Sequence, residues 1–173
     1  DSSVESKDRV DTKLAPEQIA LIEAVTAANP KTAIIANVGH AFDTSWEDAA
    51  AALMLVWYPG QGFAAALASV LAGDREPGGR MPVSVAMQEA DYCGYPTKPD
   101  ANGDLVYAEG TQIGYRGLIA NHTPARHSLG SGFGYARFDW SDIAAEKGGV
   151  GVTVRSLSDR AGSDVIQLYR DAS

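Results

Sequence analysis

The sequence predicts an α/β fold with mostly parallel strands, followed by a short β segment. Three observations carry this reading. Two short, nearly all-apolar runs, residues 32–38 and 52–57, alternate with stretches of helical periodicity, the pattern of parallel strands covered on both faces. Of 173 residues, 45% are hydrophobic and 21% charged, enough for a buried core in one domain or in one domain plus part of another. After Phe138 the character changes, and residues 150–154 alternate with a period of two.

Each element has a local cause. Over residues 16–28, Ile19, Ile22, Val25 and Thr26 recur at helical spacing. Asn29-Pro30 stops this helix, because a residue before proline avoids the helical region. Residues 32–38 form the first strand and end at Gly39. Residues 52–57 form the second and end at Tyr58-Pro59-Gly60, a strong turn signal. A second helix over 61–72 presents Phe63, Leu67, Val70 and Leu71 on one face, with Gly73 as its stop. Residues 81–85 are a third strand candidate. From 87 to 111, prolines, glycines and aspartates predict a long polar loop of the kind that usually carries function or wraps a neighbour. Residues 150–154 and 164–169 are expected to form a β-hairpin or the start of an all-β module, which needs a partner surface because two strands do not hold together alone.

Composition narrows the function. Fourteen Lys and Arg against 22 Asp and Glu give a net charge of −8, a field that disfavours nucleic acid and anionic lipid as partners. The longest apolar stretch, residues 49–57, is too short to span a bilayer. The chain opens with Asp and carries no signal-like start, which leaves the compartment open. Cys93 is the one cysteine, so neither an internal disulfide nor a cysteine metal site is available, and an idle thiol is the expectation.

Few residues declare chemistry by themselves. No nucleophile elbow and no phosphate-binding loop occur. Gly130-Ser131-Gly132-Phe133-Gly134 reads as a tight turn with closely packed backbone. His122 and His127 lack a third ligand for zinc. His40 stands at a strand end, where ligand sites of α/β folds gather, although a structural histidine is commoner there. Asn121-His122-Thr123 fits a glycosylation sequon. The cluster Glu5-Ser6-Lys7-Asp8-Arg9 reads, on composition, as a solvated loop ahead of the first helix.

A set of phrases changes the weight of that cluster. Leu14 to Gln18 with Ala24 to Pro30 (LAPEQ…AVTAANP), Trp57 to Gln61 (WYPGQ) and Val70 to Asp74 running to Pro77 through Pro82 (VLAGD..PGGRMP) come first. Tyr107 to Gly110 with Ile113 to Arg116 (YAEG..IGYR) and Gly132 to Tyr135 with Phe138 (GFGY..F) follow. In this order the sequence resembles the C-terminal α/β sandwich domain of glycoside hydrolase family 3, the β-glucosidase type, over about residues 5–140. The tail from Val152 to Tyr169 resembles the opening of the fibronectin type III-like domain that often follows it. The resemblance implies that residues 1–137 are part of a layered α/β sandwich and that 138–173 begin the β domain.

The resemblance also implies a retaining mechanism with two carboxylates about 5 Å apart. The nucleophile is an Asp on a TIM-barrel domain that these residues do not include. The acid/base is commonly a Glu in an E-G-x-D-R stretch of the sandwich, and counting back from Asp8-Arg9 places it on Glu5. A carboxyl on a loop over an apolar sugar pocket suits this task, because such a site raises its pKa into the acid-catalyst range. Two features depart from the pattern: the motif glycine is Ser6, and the proline of L-x-L-P falls one place late, at Pro16. Glu109 in the long loop is the next candidate. Asp8 and Arg9 are expected to fix the loop by an ion pair, while Trp57 and Tyr115-Arg116 read as scaffold. The implied substrate is a β-linked glucoside or related glycoside, the implied partner is the barrel carrying the Asp, and no cofactor is implied. The alternative is a noncatalytic carbohydrate-binding or assembly module of the same fold.

Overall fold

Helix α1 (Pro16–Ala28) starts where a proline pre-sets φ and gives up an amide the first turn would leave unpaired. Gln18 reaches back to accept the Ala15 amide at 3.2 Å. Asn29 ends the helix by donating its amide to Val25, and its side chain then accepts from Lys31 N at 2.9 Å. The face predicted from spacing is the one turned inward: Ile22 and Thr26 are buried, Ile19 and Val25 half-buried. The Thr26 hydroxyl satisfies itself on the Ile22 carbonyl at 2.8 Å. The computed structural model describes residues 9, 11–95 and 98–169.

Strands β1 (Ala33–Ala36) and β2 (Ala52–Leu55) pair in parallel, Ala33 opposite Ala52 through Ala36 opposite Leu55. Both lie inside the two apolar runs read from sequence. The connection between them holds a 3-10 turn, Glu47–Ala49, and Phe42, which is 1% exposed. Strand β3 (Val85–Ala86) pairs antiparallel with β4 (Ala125–His127). The expected strand at 81–85 thus reduces to its last residue plus Ala86. Pro82 has no amide to donate to a ladder, and Met81 instead exchanges hydrogen bonds with the loop at Gly130 and Ser131.

The described residues fall into two compact units. The first joins Asp1–Gly60 to Pro82–Leu129 and has Phe42, Val85, Leu118, Ile22 and Ala36 at its core. It also contains the short helix α3 (Tyr115–Ala120), whose Gly117 and Leu118 are buried. A side chain at Gly117 has no room: a Cβ there would stand 2.5 Å from both the Cys93 sulfur and the Gln112 carbonyl oxygen.

The second unit joins Gln61–Met81 to Gly130–Ser173. It contains helix α2 (Phe63–Leu71) and the antiparallel pair β5 (Phe138–Glu146) and β6 (Gly149–Ser156). The expected hairpin is therefore corrected. β6 includes residues 150–154, but its partner is 138–146 and not 164–169. The two-residue connection Lys147-Gly148 explains the choice, with Gly148 at φ 86° supplying the left-handed backbone a tight hairpin needs. Residues 164–169 belong to no strand and pair in no ladder.

Side chains, not strand pairing, hold this tail. Arg80 binds Asp164 at 2.9 Å. Arg160 faces Glu76 at 3.4 Å and lies over the Tyr135 ring, 4.8 Å from its centroid. Gly162 sits so close to Ala136 that a Cβ would approach it to 2.3 Å. The Arg80 guanidinium, with help from the Val165 amide, holds the Asp164 carboxyl below its ordinary value.

Two predictions follow from this packing. Gly117→Ala must push against the Gln112 backbone and should destabilise the first unit by about 1–3 kcal/mol, read from the urea midpoint. A carboxyl with a depressed folded-state pKa stabilises above its unfolded value and loses that contribution as pH falls. Wild type should therefore resist urea better than Asp164→Asn at neutral pH, and the difference should shrink once pH falls below the ordinary Asp value of 3.8 and be lost as pH passes through the lowered value of the folded state.

Candidate active-site region

Glu5, the residue singled out for acid/base chemistry, lies outside the described residues, as do Ser6, Lys7 and Asp8. What is described is the segment that follows it. The Arg9 guanidinium donates from Nε to the Asp11 carbonyl at 3.1 Å and from Nη2 to the Lys13 carbonyl at 2.5 Å. Lys13 N donates to the Asp11 carboxylate at 3.0 Å. Arg9 thus ties itself to Asp11 and Lys13 through their backbone carbonyls, a role the expected ion pair with Asp8 did not include.

From outside, the same segment is held by Glu89, in the 3-10 turn Glu89–Asp91. The Thr12 amide and hydroxyl both donate to Glu89 Oε1, the hydroxyl at 2.8 Å. The Asp43 amide in turn donates to the Thr12 carbonyl at 2.8 Å. The Thr12 amide, then its hydroxyl, hold the Glu89 carboxyl below the usual carboxylate value, with the Tyr95 hydroxyl adding to the effect. Together with Phe42, Ala86, Met87, Gln88, Ala90 and Tyr92, these residues line a cleft of about 330 Å³.

A second grouping stands where the parallel strands end. Trp57, just beyond β2, has φ 47°, a left-handed conformation that costs a bulky residue energy and persists only where surroundings impose it. Tyr58 folds over Gly39 beyond β1, where a Cβ would come within 2.2 Å of its hydroxyl. His40 Nδ1 lies 2.5 Å from the Ala41 carbonyl, which only accepts, so Nδ1 carries the proton and a neutral ring keeps its lone pair on Nε2. The carboxyl ends of parallel strands are where ligands of open α/β sheets bind.

Glu109, the second acidic candidate, is half-buried in the turn after Tyr107. Its Oε1 lies 3.3 Å from where a Gly94 Cβ would stand. His122 and His127 take separate roles. His122, at φ 53°, stands at the exit of α3, while His127 in β4 places Nε2 2.7 Å from Glu47. Glu47 also takes Arg126 at 2.7 Å, and Arg126 reaches Asp48 at 2.8 Å. Among the described residues no group of three or more His, Cys, Asp or Glu is placed to hold a metal, and no helix is long and apolar enough to cross a membrane.

Glu89 and Glu47 escaped the sequence reading because their partners are distant. Thr12 is separated from Glu89 by 77 positions and Glu47 from Arg126 by 79, and no local spacing marks such a pair.

Comparison with known proteins fits this arrangement. Residues 1–115 match the model of the glycosyl hydrolase family 3 C-terminal domain. A β-glucosidase of Rhizobium radiobacter is 36% identical across 95% of this chain, which covers 22% of that protein. A β-glucosidase of Kluyveromyces marxianus is 32% identical across 97% of the chain and is covered to 20%. Among solved structures, the family 3 β-glucosidase of Bifidobacterium adolescentis superimposes with a TM-score of 0.83 at 27% identity, over 90% of this chain and 24% of its own. DesR, a β-glucosidase of Streptomyces venezuelae solved with D-glucose, gives 0.76 at 33% identity, over 87% of this chain and 20% of its own. The α/β fold and the motif order define a glycoside hydrolase segment. The chain belongs to glycosyl hydrolase family 3, as part of its C-terminal domain, and spans about a fifth of the length of the curated relatives it matches.

Proposed function

We propose that this chain supplies the acid/base side of a retaining β-glucosidase-type active site, with Glu5 as the acid/base. The observation that carries the reading is the coincidence of the E-x-x-D-R stretch at Glu5, Asp8 and Arg9 with a family whose matched relatives are β-glucosidases. The nucleophile is an Asp on a TIM-barrel domain beyond these residues, and the substrate is a β-linked glucoside. No cofactor takes part. Residues 1–137 form part of the sandwich domain and 138–173 begin a fibronectin type III-like domain. The start of β5 at Phe138 and the exposed Ile143, Val150, Val154 and Leu168 are what such a beginning presents to the strands that follow.

The chemistry runs in two steps. The Asp attacks the anomeric carbon while protonated Glu5 gives its proton to the departing glycosidic oxygen, so a carbon–oxygen bond forms as the old one breaks. Ionised Glu5 then takes a proton from water as that water displaces the Asp and frees the sugar. A noncatalytic module is the second reading, and the observation favouring it is Ser6 in place of the motif glycine.

The isolated 173-residue chain should not hydrolyse an aryl β-glucoside, because it lacks the nucleophile for the covalent step. Retaining turnover by the purified chain would overturn this. In the complete enzyme, Glu5→Gln keeps the shape and removes the transferable proton. Turnover of glucosides with poor leaving groups should drop about 10²–10⁴-fold. Aryl glucosides with acidic leaving groups should keep their first step, accumulate the glycosyl-enzyme and be rescued by azide. Equal loss for both classes without rescue would remove Glu5 from the mechanism and favour testing Glu109.

A further inference from the structure

Phe133 is 95% exposed, and no other large hydrophobic among the described residues exceeds 75%. Single apolar residues on a surface are ordinary; what sets this one apart is a loop fixed on both sides. Ahead of the ring, Gly130 N donates to the Met81 carbonyl at 2.7 Å, and Met81 N donates to the Ser131 carbonyl at 2.8 Å. Behind it, the Tyr135 hydroxyl donates to the Val70 carbonyl at 2.8 Å, and the Ala136 amide donates to Glu76 at 3.0 Å.

The two glycines beside Phe133 are packed as well. A Cβ on Gly132, whose φ is 154°, would stand 3.0 Å from the Gly79 carbonyl oxygen and 3.1 Å from Arg80 Cδ. A Cβ on Gly134 would run into the Glu76 carboxylate. The backbone is thus pressed against its neighbours while the ring is held out. The charged groups that meet this loop already have partners, Arg80 with Asp164 and Arg160 with Glu76. An aromatic ring on a preordered backbone, beside charges that are already matched, has the make-up of a binding hot spot and loses little freedom when it is covered.

Size decides what covers it. One ring on a short loop buries far less than the roughly 1,200 Å² that separate proteins need to associate specifically, which disfavours a second copy or a free partner. A pocket carried on the same polypeptide needs no such area, because the chain itself supplies the effective concentration. The curated relatives have ample further polypeptide for such a pocket, since this chain spans about a fifth of their length. We propose that Phe133 is a docking anchor that fills an apolar pocket on the rest of the same polypeptide, outside these residues. This goes beyond the acid/base reading and rests on it only in requiring the larger enzyme.

The test places the photoreactive analogue p-benzoylphenylalanine at position 133 of the complete enzyme. Irradiation should join position 133 to one segment of the same polypeptide outside these 173 residues, identified by mass spectrometry of the linked peptides. A link between two copies, a link within these residues, or no link would overturn the inference. Phe133→Ala should also lower the thermal midpoint of the complete enzyme by about 2–6 °C, and Phe133→Leu by less. The KM for an aryl glucoside should stay within about 2-fold of wild type in both variants. An unchanged midpoint would overturn the inference, and so would a raised KM at an unchanged midpoint, which would put the ring against the substrate. The acid/base reading is judged apart from this, because Glu5→Gln either separates good from poor leaving groups or does not, whatever position 133 is linked to.

Discussion

The first unit depends on keeping down the connection between two parallel strands. Parallel strands cannot be joined by a tight turn, and the crossover is usually a helix whose own hydrogen bonds satisfy its backbone. Residues 37–51, between β1 and β2, contain only one 3-10 turn, Glu47–Ala49. The connection must therefore borrow its order from elsewhere. Phe42 anchors it by burial and sits near Trp46, with ring centroids 6.2 Å apart. Glu47 holds it to β4 by taking Arg126 and His127 on separate oxygens, each at 2.7 Å. Asp43 holds it to Thr12. Strand pairing, the cleft and the segment around Thr12 share these few anchors.

How much of this was legible in the sequence depended on range. Helix α1 and the strands β1 and β2 could be read because periodicity and the Asn29-Pro30 stop are local. The third strand failed because the apolar character of Met81 to Val85 says nothing of where Pro82 and Met81 find hydrogen bonds. The partner of β6 failed for a similar reason: residues 164–169 alternate like a strand, but the two-residue turn at Lys147-Gly148 makes 138–146 the nearer match. The Glu5-to-Arg9 stretch stood out only through its resemblance to a family. The Glu89–Thr12 tether was not legible at all, since a Gln-Glu-Ala-Asp run in a polar loop reads as a solvated turn.

The second unit solves the problem of an unpaired tail with charge and aromatic contact. Arg80 reaches into it to bind Asp164, and Arg160, just ahead of it, reaches out to Glu76 elsewhere in that unit. The side chain of Arg80 is only 10% exposed, so its charge is better used there than at a solvated surface. Arg160 adds a cation–π contact with Tyr135, and the Tyr135 hydroxyl donates to the Val70 carbonyl at the end of α2 at 2.8 Å. Helix, loop and tail are thereby linked through one aromatic ring.

Cys93 has a consequence of another kind. Its sulfur accepts a hydrogen bond from Asn121 Nδ2 at 3.2 Å and lies where α3 packs most tightly, against Gly117. It is the sole thiol of the chain, so alkylation reports on one place only. Cys93 is half-buried, so the rate at which a bulky reagent alkylates it reports how closely α3 packs over the thiol, a local property distinct from global unfolding. The chain thus carries a single chemical tag beside one helix.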